Sequence, residues 1–99
     1  IFPNGQIPSL AQINHACEHL FVVEDIHNFG VDYDKTLMAW FKNFDHYWNE
    51  LKSEYDDRFY RMWKYYLLQC AGAFRSRDLN LWQIVLSKNG VVGGYTSIR

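Results

Sequence analysis

The spacing of apolar residues divides the chain into a short helix, a strand, two long helices and a second strand. Residues 1–8 hold both prolines and Gly5 and read as a leading loop. Ser9 is placed to cap a helix running to about Glu18, with Leu10, Ile13 and Cys17 on one face. Leu20–Ile26 is dense in β-branched and large apolar residues and reads as a buried strand, ended by Asn28 and Gly30. From about Asp32 to Trp48, Leu37, Trp40, Phe41, Phe44 and Trp48 recur at helical spacing, with Lys35, Lys42, Asp45, His46 and Asn49 on the other faces. Ser53 reads as the cap of a third helix, in an approximate capping box with Asp56. The apolar stripe of that helix is Phe59, Met62, Trp63, Tyr66, Cys70 and Phe74. Gly72, late in it, costs roughly 1 kcal/mol relative to Ala and permits close approach of another segment or a ligand. Arg75–Asp78 breaks the pattern, Leu81–Leu86 reads as a second buried strand, and residues 89–99 read as a loose tail.

Two strands make a poor sheet by themselves. Two strands that both read as buried predict further flanking strands, and hence a piece of a longer protein. The start at Ile1-Phe2-Pro3, without an initiator Met, points the same way. An open sheet edge invites pairing with another copy, so a homo-oligomer through that edge is expected.

Composition sharpens this picture in one respect. Aromatic residues make up 18 % of 99 residues, more than a modest core requires, and point to a deep apolar core or a lined pocket. The net charge of −1 argues against a nucleic-acid binder, which carries a basic excess. No signal segment or membrane-spanning run is evident, and Cys17 and Cys70 lie far apart, so free thiols in a reducing, cytoplasmic setting are expected.

Several residues are candidates for chemistry, each with a plain alternative. His15 and His19 are four apart on the first helix, the spacing of two metal ligands, but no third ligand is evident. Arg58, Arg75 and Arg77 could meet phosphate groups, though such arginines more often form a solvated helix face. Glu24, Asp25 and His27 cluster at a strand end, where α/β folds carry chemistry and where turns are also capped. The glycines of Gly90-Val91-Val92-Gly93-Gly94 follow a strand but precede no helix, unlike a dinucleotide loop. Cys70, within an apolar stripe, reads as packing.

Three stretches carry a resemblance: "FPNGQIPSL", "FVVEDIHNFGVDYDKTLMAWF" and "RFYRMWKYYLLQCAGAFRSRDLNLWQIVLSK". Together they resemble the C-terminal part of the cyclopropane-fatty-acyl-phospholipid synthases, over about residues 1–88. That family is similar to other S-adenosylmethionine-dependent methyltransferases, with a Rossmann-like seven-stranded sheet. The fold class expected is therefore an α+β fragment of a Rossmann-like α/β methyltransferase, with about three helices and the last two strands of the parent sheet. Residues 1–88 would be the C-terminal segment of the methyltransferase domain and 89–99 its tail.

The resemblance implies the transfer of a methylene from S-adenosylmethionine to the cis double bond of an unsaturated phospholipid acyl chain. Methyl transfer to an alkene leaves a carbocation, and a base must then remove a proton for the ring to close. The pocket must be dry, since water would trap the cation. In the family a tyrosine in the context "FG-x-D-Y-x-x-TL" helps to hold a bicarbonate ion that serves as base. That position is Tyr33 here, and a phenol donates a hydrogen bond to an anion without adding charge. Leu37, Cys70 and Phe74 match positions lining the acyl pocket, with core packing as the alternative. The cofactor loop and the remaining catalytic residues of the family lie upstream, so the segment alone is expected to be inactive. Peripheral contact with the inner membrane face is implied as well. Whether the product is a ring or a methyl branch stays open. The rival reading is a self-contained α+β module that binds an apolar ligand or a protein partner.

Overall fold

The computed structural model describes residues 1–99, in the order α1 (Leu10–Cys17), β1 (Val22–Asn28), α2 (Gly30–Leu51), α3 (Asp57–Arg75), β2 (Trp82–Ser87). The expected three helices and two strands are present. The chain forms two compact units: Phe29–Leu81 together with Ile1, and Phe2–Asn28 together with Trp82–Arg99.

In the second unit, α1 starts with a full capping box. The Ser9 hydroxyl accepts from the Gln12 N–H, and the Gln12 side chain accepts from the Ser9 N–H. The helix ends at Cys17, and His19 lies beyond it with a left-handed φ of 65°. His15 and His19 therefore do not share a helix face, and no three His, Cys, Asp or Glu side chains come together as metal ligands.

β1 and β2 pair antiparallel, from Val22 opposite Ser87 to Asn28 opposite Trp82. The register slips between Val23 and Asp25, which makes Glu24 the extra residue of a bulge. The bulge has a packing consequence. Val23 and Ile26 are three apart, an odd spacing for one strand face, yet both join Ile84 and Leu86 against Leu10, Ile13 and Cys17 of α1. β1 begins two residues later than its apolar run suggests, because Leu20 and Phe21 belong to the turn that leaves α1, and β2 begins one residue later. Nor are they buried: Val22, Ile26 and Leu86 are 46 %, 37 % and 38 % exposed, since a two-stranded ribbon leaves its outer face and edges uncovered.

In the first unit, α2 and α3 pack antiparallel. Residues at the start of α2 meet the end of α3, and Phe44 meets Phe59 and Tyr60 near the connecting turn. Leu37, Leu67, Ala71 and Phe74 are buried between them, flanked by Tyr33, Phe41, Phe44 and Trp63. α2 is longer than its stripe predicts, because no glycine or proline stops it before Leu51. The α3 cap is Asp56, whose carboxylate accepts from the Phe59 N–H at 2.8 Å, and not Ser53. Both are good capping residues; Ser53 lies in the turn that α2 enters.

Candidate functional site

Tyr33 lies in the first turn of α2, half-buried. Its ring stands edge-on to Phe74 at 5.1 Å and edge-on to Trp40 at 5.9 Å. Such T-shaped contacts orient a ring as well as bury it. The aromatic partners hold the phenol by its ring.

The two aspartates beside Tyr33 are both neutralised. Asp32 pairs with Lys35 on the surface at 2.9 Å. Asp34, with its side chain 15 % exposed, accepts from Nε and Nη2 of Arg75, each at 2.9 Å. The hydrogen bond from Arg75, aided by its charge, holds the Asp34 carboxyl below the usual carboxylate range. This two-point clamp ties the start of α2 to the end of α3, beside the Tyr33–Phe74 contact. It also cancels a negative charge that would otherwise repel an anion at Tyr33.

Tyr66 is a neighbour that the sequence placed only in the α3 stripe. Burial pushes its phenol up, and the Cys70 thiol and Tyr33 phenol beside it add to the shift. Tyr33, Tyr66 and Cys70 thus form a polar cluster at the margin of the core. The i,i+4 spacing of Tyr66 and Cys70 was the available signal. Leu37 and Phe74, at 2 % and 8 % exposure, are core residues directly behind Tyr33, and Cys70 lies half-buried at the core margin.

Farther along the hairpin an apolar cleft of about 340 Å³ opens, lined by Trp40, Phe44, Leu51, Tyr55, Phe59 and Trp63. Trp40 belongs both to this cleft and to the Tyr33 contact. On α2 the positions 33, 40, 44 and 51 share one face, so the phenol and the cleft form a continuous stripe. From Tyr33 to Leu51 this stripe is about 27 Å long at 1.5 Å per residue. Near the turn, Tyr60 donates its hydroxyl to Asp45 at 2.5 Å, which raises its phenol pKa.

Two of the strand-end candidates are engaged by later residues of the chain. Glu24, the extra residue of the bulge, accepts from the Ser87 hydroxyl and the Val91 N–H. Asp25 accepts two hydrogen bonds from Arg99 at 2.6 and 2.8 Å. His27 sits within β1 opposite Gln83. Residues 89–99 form no helix or strand and are tied to β1 by these two contacts. Gly90, Gly93 and Gly94 all have positive φ, and no helix follows them to face a phosphate. No helix is long and apolar enough to cross a membrane.

Residues 1–84 match the family model described as mycolic acid cyclopropane synthetase. The chain is 56 % identical over all 99 of its residues to the cyclopropane-fatty-acyl-phospholipid synthase of Escherichia coli K12, and covers 26 % of that protein. It is also 56 % identical over 90 residues to the cyclopropane-fatty-acyl-phospholipid synthase of Citrobacter freundii, covering 91 % of this chain and all of that sequence. Over 89 residues it is 33 % identical to a probable fatty acid methyltransferase of Pseudomonas putida, covering 89 % of this chain and 23 % of the relative. The chain thus spans about a quarter of the length of the Escherichia coli relative, and aligns with its C-terminal part.

Proposed function

The chain belongs to the mycolic acid cyclopropane synthetase family, and from that premise we propose that it is the C-terminal segment of a cyclopropane-fatty-acyl-phospholipid synthase. The whole enzyme transfers a methylene from S-adenosylmethionine to the cis double bond of an unsaturated phospholipid acyl chain. Its parent domain is Rossmann-like, with β1 and β2 as the last strands of the sheet. It works at the inner membrane face, and the segment by itself is inactive.

The observation that carries this reading is the setting of Tyr33: an oriented phenol, flanked by neutralised carboxylates, at one end of an apolar stripe. These residues suit an anion such as bicarbonate, which when bound supplies the base that takes the proton. Tyr33 donates to that anion and fixes its place. The Asp34–Arg75 clamp holds the phenol and removes competing charge. Leu37, Cys70 and Phe74 form the wall behind it, and the aromatic cleft receives the acyl chain and keeps water away. Ring faces along the stripe stabilise a cation by roughly 0.5–2 kcal/mol each. For S-adenosylmethionine these residues provide no cradle, since the glycine cluster precedes no helix; on this reading the methyl donor is held by the upstream part of the enzyme.

Lipid mass spectrometry on cells expressing the whole protein tests the proposal. Unsaturated acyl chains should be converted to products heavier by one methylene. No conversion, despite stable expression, would rule out the activity and leave an apolar-ligand binding module.

A further inference from the structure

The outer face of α3 is basic and aromatic, and none of the functions described so far uses it. After Asp57 the helix carries Arg58, Arg61, Lys64 and Arg75 and no acidic residue. Arg75 is committed to Asp34, while Arg58 and Arg61 are exposed and join none of the ion pairs. Lys64 lies over the rings of Phe41 and Tyr60, at 5.9 and 5.8 Å. Among these cations stands Tyr65, 72 % exposed, with Met62 40 % exposed on the same side. A shallow groove runs here between Arg61, Lys64, Tyr65 and Leu68.

A surface helix gains nothing from exposing a tyrosine and a methionine to water. An aromatic ring and apolar side chains among unpaired cations match the boundary between lipid headgroups and acyl chains. The complementary surface is anionic. The same stretch, Phe59–Gln69, lines the apolar cleft from its other side, so a surface held at this face lies next to the acyl site.

We infer that the Arg58–Arg61–Lys64–Tyr65 face of α3 docks the enzyme on anionic phospholipid bilayers. The inference rests on the phospholipid substrate proposed above. Each basic side chain at an anionic lipid surface changes affinity by roughly fivefold, so three together are worth on the order of a hundredfold. High salt weakens the attachment, because exposed charges are screened.

The test uses the whole protein and vesicles of equal parts phosphatidylglycerol and phosphatidylcholine, against vesicles of phosphatidylcholine alone. The unaltered protein should bind the anionic vesicles much more tightly, and Arg58→Gln/Arg61→Gln/Lys64→Gln should lose about a hundredfold of that affinity. A charge-keeping variant, Arg58→Lys/Arg61→Lys/Lys64→Arg, should stay within about threefold of the unaltered protein. Equal binding by the glutamine variant overturns the inference and points the face towards an acidic protein. An equal loss in the charge-keeping variant overturns it as well. Conversion of lipid dispersed in neutral detergent micelles separates the two readings. A protein that converts micellar lipid but ignores vesicle charge retains the proposed activity and lacks this docking face. A protein that binds anionic vesicles through these cations yet modifies no lipid keeps the face and lacks the activity.

Discussion

The two units of the chain are held together by different forces. The α2–α3 hairpin contains all four buried hydrophobic residues, Leu37, Leu67, Ala71 and Phe74, inside a shell of stacked and edge-on rings. The β1–β2 ribbon with α1 and the tail has no buried apolar residue. It relies on ladder hydrogen bonds, a thin apolar seam against α1, and two carboxylates that reach forward to residues 87–99. One unit is stabilised by burial, which depends on shape. The other depends on hydrogen bonds and charge, which are worth little where water competes. The Tyr33 phenol belongs to the first kind, where Phe74 and Trp40 fix the orientation of its ring.

Truncation in the hairpin should show the largest difference. Leu37→Ala or Leu67→Ala removes a buried side chain from the only true core and should cost about 2–5 kcal/mol, read as a lower urea midpoint. Ile26→Ala, on the ribbon, should cost well under half as much, since Ile26 is 37 % exposed in the native state. Equal losses would erase the contrast between the units.

A smaller effect is expected at the tail. Arg99→Gln breaks the pair with Asp25, and as a partly exposed ion pair this is worth about 0.2–1 kcal/mol. Hydrogen exchange should show the change in β1 and the tail, and none in α2 or α3.

The smallest effect is confined to acid. Asp34 has its pKa depressed by Arg75, so its contribution to stability is present above the ordinary carboxylate range and is lost as pH falls through the folded-state value. Arg75→Gln should flatten that part of the acid limb of stability against pH. An unchanged acid limb would show that the clamp is not maintained in solution.

How much of this could be read in the chain differs by element. The apolar stripes of α2 and α3 announced two helices and most of their shared core, because helical period and burial agree there. Helix ends were harder to place. Phe29 caps α2 without a side-chain bond and so carries no signal, and Asp56 displaces Ser53 though either suits the role. The strands were placed within two residues, and their apolar runs, partly exposed in this two-stranded ribbon, are those of strands that further strands would cover. The bulge at Glu24 was invisible, as it arises from pairing register. In the site, Tyr33 stood out by its sequence context. The Asp34–Arg75 clamp did not, because its partners are 41 positions apart and meet only when the helices pack antiparallel.

The most direct test of the central claim, that Tyr33 holds the anionic base, is the activity of Tyr33→Phe in the whole enzyme across a range of bicarbonate concentrations. The ring contacts with Phe74 and Trp40 survive that change, so folding should be unaffected and only the hydrogen-bond donor is lost. A hydrogen bond to a charged group is worth about 1.5–3 kcal/mol, so methylene transfer should fall roughly 10- to 150-fold. Added bicarbonate should restore part of it. Activity equal to that of the unaltered enzyme at every bicarbonate concentration would contradict the claim and reduce Tyr33 to a packing residue.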